Sequence, residues 1–392
     1  MEKLKGKQSA EILHELDFDL WMIIDRESDI LSDPMMDFMV GAGVTWLSFF
    51  LFFRSGDKIA IVGNLDVEKI RNLDLFNQVY AYKSSPRDIL VEQLMNHQPA
   101  RIAIDFSIDS ANADGLTHGN YLNLLGLLEH TGFAERLVSA EPVVARIRGR
   151  KTVEEQRRIR EAVDKTLQIF DRVTSHAHPG ISEQQLASFI SGEREKMGLD
   201  SSWDVKSCPS VFAGSQAVGA HSGPTGKILE RGEVFNIDFG VRCEKYCADL
   251  QRTWYIQKGN ETEPPAEVRK AFQTIVESIR LAFEALRPGV LGIDIDAVAR
   301  NHIVSRGYDE YPHALGHQVG RSAHDGGALL APPWERYGKL PYIPLEKDLV
   351  FTLEPRINLK GYGVVTIEEM VVITGNGAEF LSRPQERLWI VR

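Results

Sequence analysis

The chain is poor in cysteine, with Cys208, Cys243 and Cys247 as its only three in 392 residues and no CxxC spacing among them. An odd, unpatterned set argues against a disulfide framework, and the three read as small buried hydrophobes of a protein kept in a reducing compartment. A basic excess is also missing, since 45 Lys and Arg face 55 Asp and Glu for a formal net charge of −10. An acidic balance spread along the chain gives no electrostatic footprint for a phosphate backbone, so nucleic acid is not an expected partner, whereas cations are favoured. The charge-free stretch Phe38 to Phe53 (FMVGAGVTWLSFFLFF) is sixteen residues long and interrupted by Gly41, Gly43, Thr45 and Ser48. That falls short of the roughly 20 residues a membrane span needs. RSGD and a second apolar run, KIAIVG, follow it, so the segment reads as strand, turn, strand and a buried hairpin. The opening MEKLKGKQSAEILHEL runs amphipathically without an apolar core or a small-residue cleavage site, so no signal peptide is expected and the protein is expected in the cytoplasm, off the membrane.

What is present is a soluble globular composition, 43% hydrophobic and 26% charged, and a length that suggests two or three domains at roughly 100–200 residues each. Residues 1–148 alternate helical and strand signals, with an amphipathic start to Leu16, a strand near Leu20–Ile24, the hairpin, RIAIDF at 101–106, then YLNLLGLLEHTGFAERLVSA as helix, turn and strand entry. This is an α/β pattern without a catalytic motif. A basic link, RIRGR, then leads into a charged helix in which Thr152 and Glu155 have capping-box spacing and Ile159, Ala162, Val163, Leu167, Phe170 and Val173 keep a helical rhythm. The domain boundary is placed near 149–151. Beyond it, helix, Pro-Gly, helix occurs twice, around HPG at 178–180 and RPG at 287–289, which predicts two similar halves about a pseudo-twofold axis.

Acidic groups and imidazoles then appear inside apolar strands: Asp238 in VFNIDFGV, Asp249 in YCADLQRTWYI, Glu354 in LVFTLEPRI, and Glu368 with Glu369 in VVTIEEMVVIT. Burying a carboxylate costs several kcal/mol unless it is paired or binds a metal. Fixed arginines, Arg252 and Arg356, are one source of counter-charge. Metal is the other, favoured by His317 in HALGHQVGRSAHDGG, which has glycines on both sides and His324 seven residues later. Histidine beside four carboxylates suits divalent ions of the Mn²⁺, Co²⁺, Fe²⁺ or Zn²⁺ type better than a thiolate zinc site does. His14, His97, His118, His130, His176, His178 and His302 are given no role.

The order NIDFG, ADLQRTW with its aspartate eleven residues on, HALGHQVG, TLEP and then IEE, with Glu368 fourteen residues after Glu354, resembles the pita-bread metallopeptidases: Xaa-Pro dipeptidase (prolidase), aminopeptidase P and methionine aminopeptidase. The resemblance covers about 150–392. The size and pattern of residues 1–148 favour the proline-directed branch. The implied fold is α+β, a pita-bread domain of two related halves at 149–392 behind a smaller α/β domain at 1–148. The implied cofactor is two divalent ions per subunit, Mn²⁺ first and Co²⁺, Fe²⁺ or Zn²⁺ as alternatives. Asp238 would chelate one ion, Asp249 and Glu368 would bridge both, and His317 and Glu354 would complete the other. His221, seventeen residues before Asp238, matches the family's substrate-facing histidine, His324 the second histidine of GHxxGxxxH, and His313 the one preceding it.

The activity this implies is hydrolysis of Xaa-Pro bonds by water activated between two metals, with Glu354 as proton shuttle and His221 and His324 donating to the carbonyl or the developing oxyanion. His313 is assigned to the substrate region or to packing. The expected partner is a small peptide, and a homodimer is expected. Some positions depart from the family: Arg356 and Asn358 stand where glycine and tyrosine are usual, Thr366 where an arginine is usual, and Gln318 where many relatives have glycine. These departures bear on specificity more than on hydrolysis. Arg321 or Arg356 could take over a terminal carboxylate, or both could sit in ion pairs. A dipeptidase is preferred narrowly over aminopeptidase P, and a creatinase-like hydrolase, a metal-dependent lyase and a silent binding protein remain as rivals.

Overall fold

The charge-free stretch runs from the end of a one-turn helix, Met36–Met39, through a loop into the strand Ser48–Phe53, which a tight turn joins to an antiparallel strand, Lys58–Gly63. The computed structural model describes residues 1–215 and 223–392, which divide into two units, Met1–Arg148 and Gly149–Arg392.

In the first unit the hairpin lies within a six-stranded sheet whose order is Gln78–Tyr82, Lys58–Gly63, Ser48–Phe53, Leu20–Asp25, Ile102–Ile104 and Leu137–Ser139. The run SFFLFF is apolar at nearly every position because both of its faces are covered. Phe50 and Phe52 pack with Trp21, Ile23, Leu13 and Val144 on one side. Phe49 and Leu51 pack with Met22, Ile24, Leu90, Leu94 and Leu124 on the other. The opening helix is Glu2–Leu16, as the sequence pattern predicts, but the helix Glu141–Gly149 has no counterpart among the elements expected from sequence.

In the second unit, Thr152 and Glu155 make the expected capping box at the start of helix Val153–His176, and all six residues of its predicted apolar rhythm are buried. The repeat is visible in backbone detail. Helix Val153–His176 is followed by Glu183–Lys196, and helix Ala266–Ala285 by Gly292–Ser305. At the two Pro-Gly turns, Gly180 N–H donates to Leu229 O at 2.9 Å and Gly289 N–H donates to Leu345 O at 2.8 Å, while the N–H groups of Leu229 and Leu345 donate back to Ile181 O and Val290 O. Both glycines have φ near +90° (92° and 88°), a conformation that side-chain-bearing residues rarely adopt. Each copy then leads into an apolar strand, Val234–Phe239 in the first and Val350–Leu353 in the second. The first strand joins the sheet order Trp389–Val391, Leu250–Ile256, Val234–Phe239, Ser210–Ala213, and the second joins Val350–Leu353, Glu369–Ile373, Ala378–Phe380. The architecture is α+β.

Candidate metal centre

Each half supplies acidic residues from the ends of these strands. Asp238 lies on Val234–Phe239 directly opposite Gln251 of the antiparallel neighbour, and Asp249 immediately precedes that neighbour. Glu368 immediately precedes Glu369–Ile373, and its N–H donates to Gln251 O at 3.1 Å, a bridge that ties the two sheets together beside the carboxylates. His317 is held against Val350–Leu353: its N–H donates to Thr352 Oγ1 at 3.1 Å, and Thr352 N–H donates to its carbonyl at 3.0 Å. This approach requires Gly316, because a Cβ there would stand 1.9 Å from Thr352 O.

The side chains converge. His317 Nε2 is 3.3 Å from Glu354 Oε1 and 3.7 Å from Asp249 Oδ2. Asp249, His317 and Glu368 each offer a ligand atom, all within 4.8 Å of one another. His317 Nδ1 lies 3.4 Å from Gln318 O, which directs the other ring nitrogen to the carboxylates. Asp238 Oδ1 and Glu368 Oε2 are buried with no hydrogen-bond partner. Burial, followed by repulsion from Asp249 and Glu354, raises Asp238 far above the usual carboxylate range, and burial with the same neighbours does so for Glu368. Burial likewise pushes Asp249 up to about 7, with His317 opposing and Glu354 adding to the rise. Glu354 differs. Burial works to raise it, but the hydrogen bond and charge of His317, with His313 and His324 nearby, hold it below the usual range.

Asp238, Asp249, His317, Glu354 and Glu368 all sit in the wall of a cavity of about 980 Å³, together with His313 and His324. The His324 ring centre is 4.2 Å from that of His317, edge to face. His313 Nδ1 lies 2.8 Å from Ala314 O. His221 falls outside the described residues. The arginines do not supply the missing charge. Arg252 is fully buried, but it pairs with Glu369 at 3.0 Å and donates to the carbonyls of Gln251 and Glu368 at 2.8 Å, so Glu369 belongs to a structural ion pair. Arg321 donates to Tyr246 Oη at 3.3 Å and is not among the cavity-lining residues.

Sequence reading overlooked Gln251 and Thr352 as parts of the site, and it marked Thr366 only as a departure from the family pattern. Gln251 Nε2 reaches Glu354 Oε2 at 3.4 Å while its Oε1 accepts from Thr366 Oγ1 at 3.0 Å. Thr352 Oγ1 is 3.4 Å from Glu354 Oε1. The available signal was spacing, since Gln251 is two positions from Asp249 and Thr352 two from Glu354.

A model of metallopeptidase family M24 matches residues 157–375, more than half of the chain. The chain belongs to this family. Among curated relatives, an uncharacterised peptidase of Staphylococcus aureus (strain Mu50) is 30% identical over 336 residues, 85% of this chain and 86% of that protein. Another, from Bacillus subtilis (strain 168), is 28% identical over 280 residues, 71% of this chain and 73% of its own length. The fold is similar to that of an Xaa-Pro dipeptidase from Bacillus anthracis, with TM-score 0.75, 22% identity and full coverage of both chains. It is also similar to an X-Pro aminopeptidase from Thermotoga maritima, with TM-score 0.71, 22% identity and coverage of 98% and 99%.

The residues of this metallopeptidase fit a divalent cation on their own chemistry. Oxygen and imidazole donors suit a hard-to-borderline ion. Two buried oxygens lack a donor, and among the described residues no lysine or arginine forms an ion pair with Asp238, Asp249 or Glu368. No described helix is long and apolar enough to cross a membrane.

Proposed function

We propose that the protein is a two-metal exopeptidase that hydrolyses Xaa-Pro dipeptides, with Asp238, Asp249, His317, Glu354 and Glu368 as the ligands. The observation that carries the reading is the convergence of Asp249, Glu368 and His317 in a cavity wall where, among the described residues, no lysine or arginine pairs with either carboxyl. Divalent ions bound there, Mn²⁺ in the first instance, supply Lewis acidity that polarises the scissile carbonyl and acidifies water.

The chain's own groups divide the remaining work. Glu354 is held below the usual carboxylate range, so it is ionised at neutral pH and able to accept a proton. Thr352 and Gln251 restrain its two oxygens. The amine released from an Xaa-Pro bond is secondary and a poor leaving group until protonated, and Glu354 can return the proton it has taken. His324 and His313 line the same cavity, and in this reading they donate to the substrate carbonyl or to the negative charge that develops on it. His221 is assigned to the same task from its sequence position. The similarity in fold to an Xaa-Pro dipeptidase supports the substrate class. The protein is further proposed to act in the cytoplasm as a homodimer.

The test is an assay of metal-stripped protein on Met-Pro and on Met-Pro-Ala, with Mn²⁺, Co²⁺ and Zn²⁺ restored separately. The expected result is metal-dependent cleavage of Met-Pro and refusal of the tripeptide. Preference for the tripeptide would make it an aminopeptidase P, and failure on both with metal bound would point to the lyase or hydrolase rivals.

A further inference from the structure

The buried face of helix Gly292–Ser305 is made by Gly292, Ile295, Asp296, Ala299, Arg300 and Ile303, an apolar stripe with an ion pair set into its middle. Arg300 Nε and Nη2 donate to the two oxygens of Asp296, four positions away, at 2.7 and 2.9 Å. A buried pair of this kind adds little net stability over apolar residues of the same volume. Its use lies in what else it bonds.

The remaining bonds all go to residues 310–315. Arg300 Nη1 donates to Tyr311 O at 2.6 Å and to Glu310 Oε2 at 3.4 Å, and Nη2 donates to His313 O at 2.8 Å. Asp296 Oδ1 accepts from Leu315 N–H at 3.0 Å and from Tyr311 Oη at 3.4 Å. Nε carries one hydrogen and each Nη two, so every guanidinium hydrogen has an acceptor. The guanidinium also lies over two rings, 4.0 Å from the centre of Tyr311 and 5.1 Å from that of Trp334.

This segment leads into the metal centre. Between the bonds at His313 O and Leu315 N–H lies Ala314, whose carbonyl is 2.8 Å from His313 Nδ1. A carbonyl can only accept, so Nδ1 carries a proton and Nε2 is the ring nitrogen left to meet a ligand in the cavity that His313 lines. Leu315 O in turn accepts from Glu354 N–H at 2.8 Å. Asp296 and Arg300 are not among the cavity-lining residues, so they act on a substrate only through what they hold.

We infer that Asp296 and Arg300 form a clamp that positions the His313 imidazole for substrate, by fixing the Ala314 carbonyl to which its Nδ1 is tied. Both are positioning residues. This rests on the exopeptidase reading for its effect on catalysis but not for its effect on the ring. Arginine suits the task because lysine offers one nitrogen where this geometry uses three.

The test measures cleavage of Met-Pro with Mn²⁺ restored for wild type, R300K and R300M, each with His313 intact and in an H313Q background. ¹⁵N spectra of the His313 ring in Zn²⁺-loaded protein at pH 8.5, well above the ordinary imidazole pKa of about 6.5, complete it. Wild type should show one tautomer, protonated on Nδ1, and the variants a mixture of two, because the bond that selects the tautomer is loosened. In R300K kcat should fall about tenfold, the lower end of the range for groups that orient metal-site residues, with KM and bound metal close to wild type. With H313Q in place the same substitution should cost less than about twofold, since the ring it positions is gone. R300M leaves Asp296 without its cation and should melt lower, so R300K, which keeps the charge, separates placement from stability. A His313 that keeps one tautomer in both variants, or a kcat that R300K leaves unchanged, overturns the proposal. So do losses as large with H313Q as with His313, since the pair is then structural. If wild type with metal bound cuts no Xaa-Pro bond, the exopeptidase reading falls, and the tautomer alone decides whether the clamp stands.

Discussion

Each unit of the chain contains a cluster of buried carboxyl groups, and the two clusters reach neutrality in different ways. In the first unit, Trp21 Nε1 donates to Asp105 at 2.6 Å, Met35 N–H donates to Asp33 at 2.7 Å, and Ser28, Ser32 and Arg26 N–H serve Asp25. Burial lifts Asp33 to about 7 and, with repulsion from Asp33, lifts Asp105 well above its ordinary value, so these acids reach neutrality by keeping their protons. The space is closed: a Cβ on Gly115 would stand 2.1 Å from Asp33 Oδ2. In the second unit the cluster includes a histidine and opens on a cavity of about 980 Å³. A buried acid by itself is therefore a poor sign of a metal. An imidazole and room for an ion make it a good one.

Neutralising one acid in each cluster separates the two most strongly. Asp249→Asn should abolish metal-restored hydrolysis, a loss of at least about 10³-fold, the order that follows removal of one preorganised electrostatic contact, with circular dichroism unchanged. Asp105→Asn should leave kcat/KM near that of wild type. Full activity of Asp249→Asn after metal addition would remove the proposed site. Stability separates the adjacent glutamates next. Glu369→Gln breaks the buried pair with Arg252 and should cost about 3–5 kcal/mol in urea unfolding. Glu368→Gln removes a repelled carboxyl, so the metal-free protein should be no less stable than wild type. Equal losses for the two variants would place both glutamates in structural roles.

Glu368 and Glu369 also show what the sequence made legible. The motif around them marked a site, and His317, Asp249 and Glu368 are found together, because acids buried in apolar strands beside a glycine-flanked histidine need a cation to offset their lost hydration. The two Pro-Gly turns revealed the repeat because the left-handed backbone they require favours glycine. Arg252 was legible as a possible counter-charge for the buried acids, but its pairing with Glu369 was not, since 117 residues separate them and only sheet register brings them together. The same holds for Arg356 and Thr366, whose departures from the family pattern were visible singly but whose cross-strand pairing was not. Helix Glu141–Gly149 escaped because its charged residues, Arg146 and Arg148, obscured a short apolar face formed by Val143, Val144 and Ile147.

Titration distinguishes the clusters by a smaller effect. In metal-free protein the raised carboxyls of both clusters keep protons that the unfolded chain releases near about pH 4. The folded state binds more protons, so their contribution to stability is complete below about pH 4 and is lost as pH rises through about 7. The melting temperature of metal-free protein should fall across that window. Saturating Mn²⁺ should remove the share owed to Asp238, Asp249 and Glu368, because the ion replaces their protons. It should leave the share owed to Asp33 and Asp105, of which Asp105→Asn should remove the part due to Asp105 while the burial-driven part of Asp33 remains. A metal-free melting temperature that rises between about pH 5 and pH 8 contradicts this assignment.

The smallest expected effect concerns how firmly each cluster holds its acid. Trp21 grips Asp105 at 2.6 Å, whereas Gln251 reaches Glu354 only at 3.4 Å. A carboxyl with a purely structural task gains from a tight donor, but one that must take up and release a proton is hindered by it. Gln251, itself fixed by Thr366, therefore positions Glu354 without immobilising it. Gln251→Ala should lower kcat on Met-Pro about tenfold, the lower end of the range for groups that orient metal-site residues, with metal content and KM close to wild type. Gln251→Glu sets a negative charge beside Glu354 and should move the acid limb of the kcat profile to higher pH. An alanine variant that matches wild type in both kcat and pH profile would leave Thr352 alone as the group that orients this carboxylate.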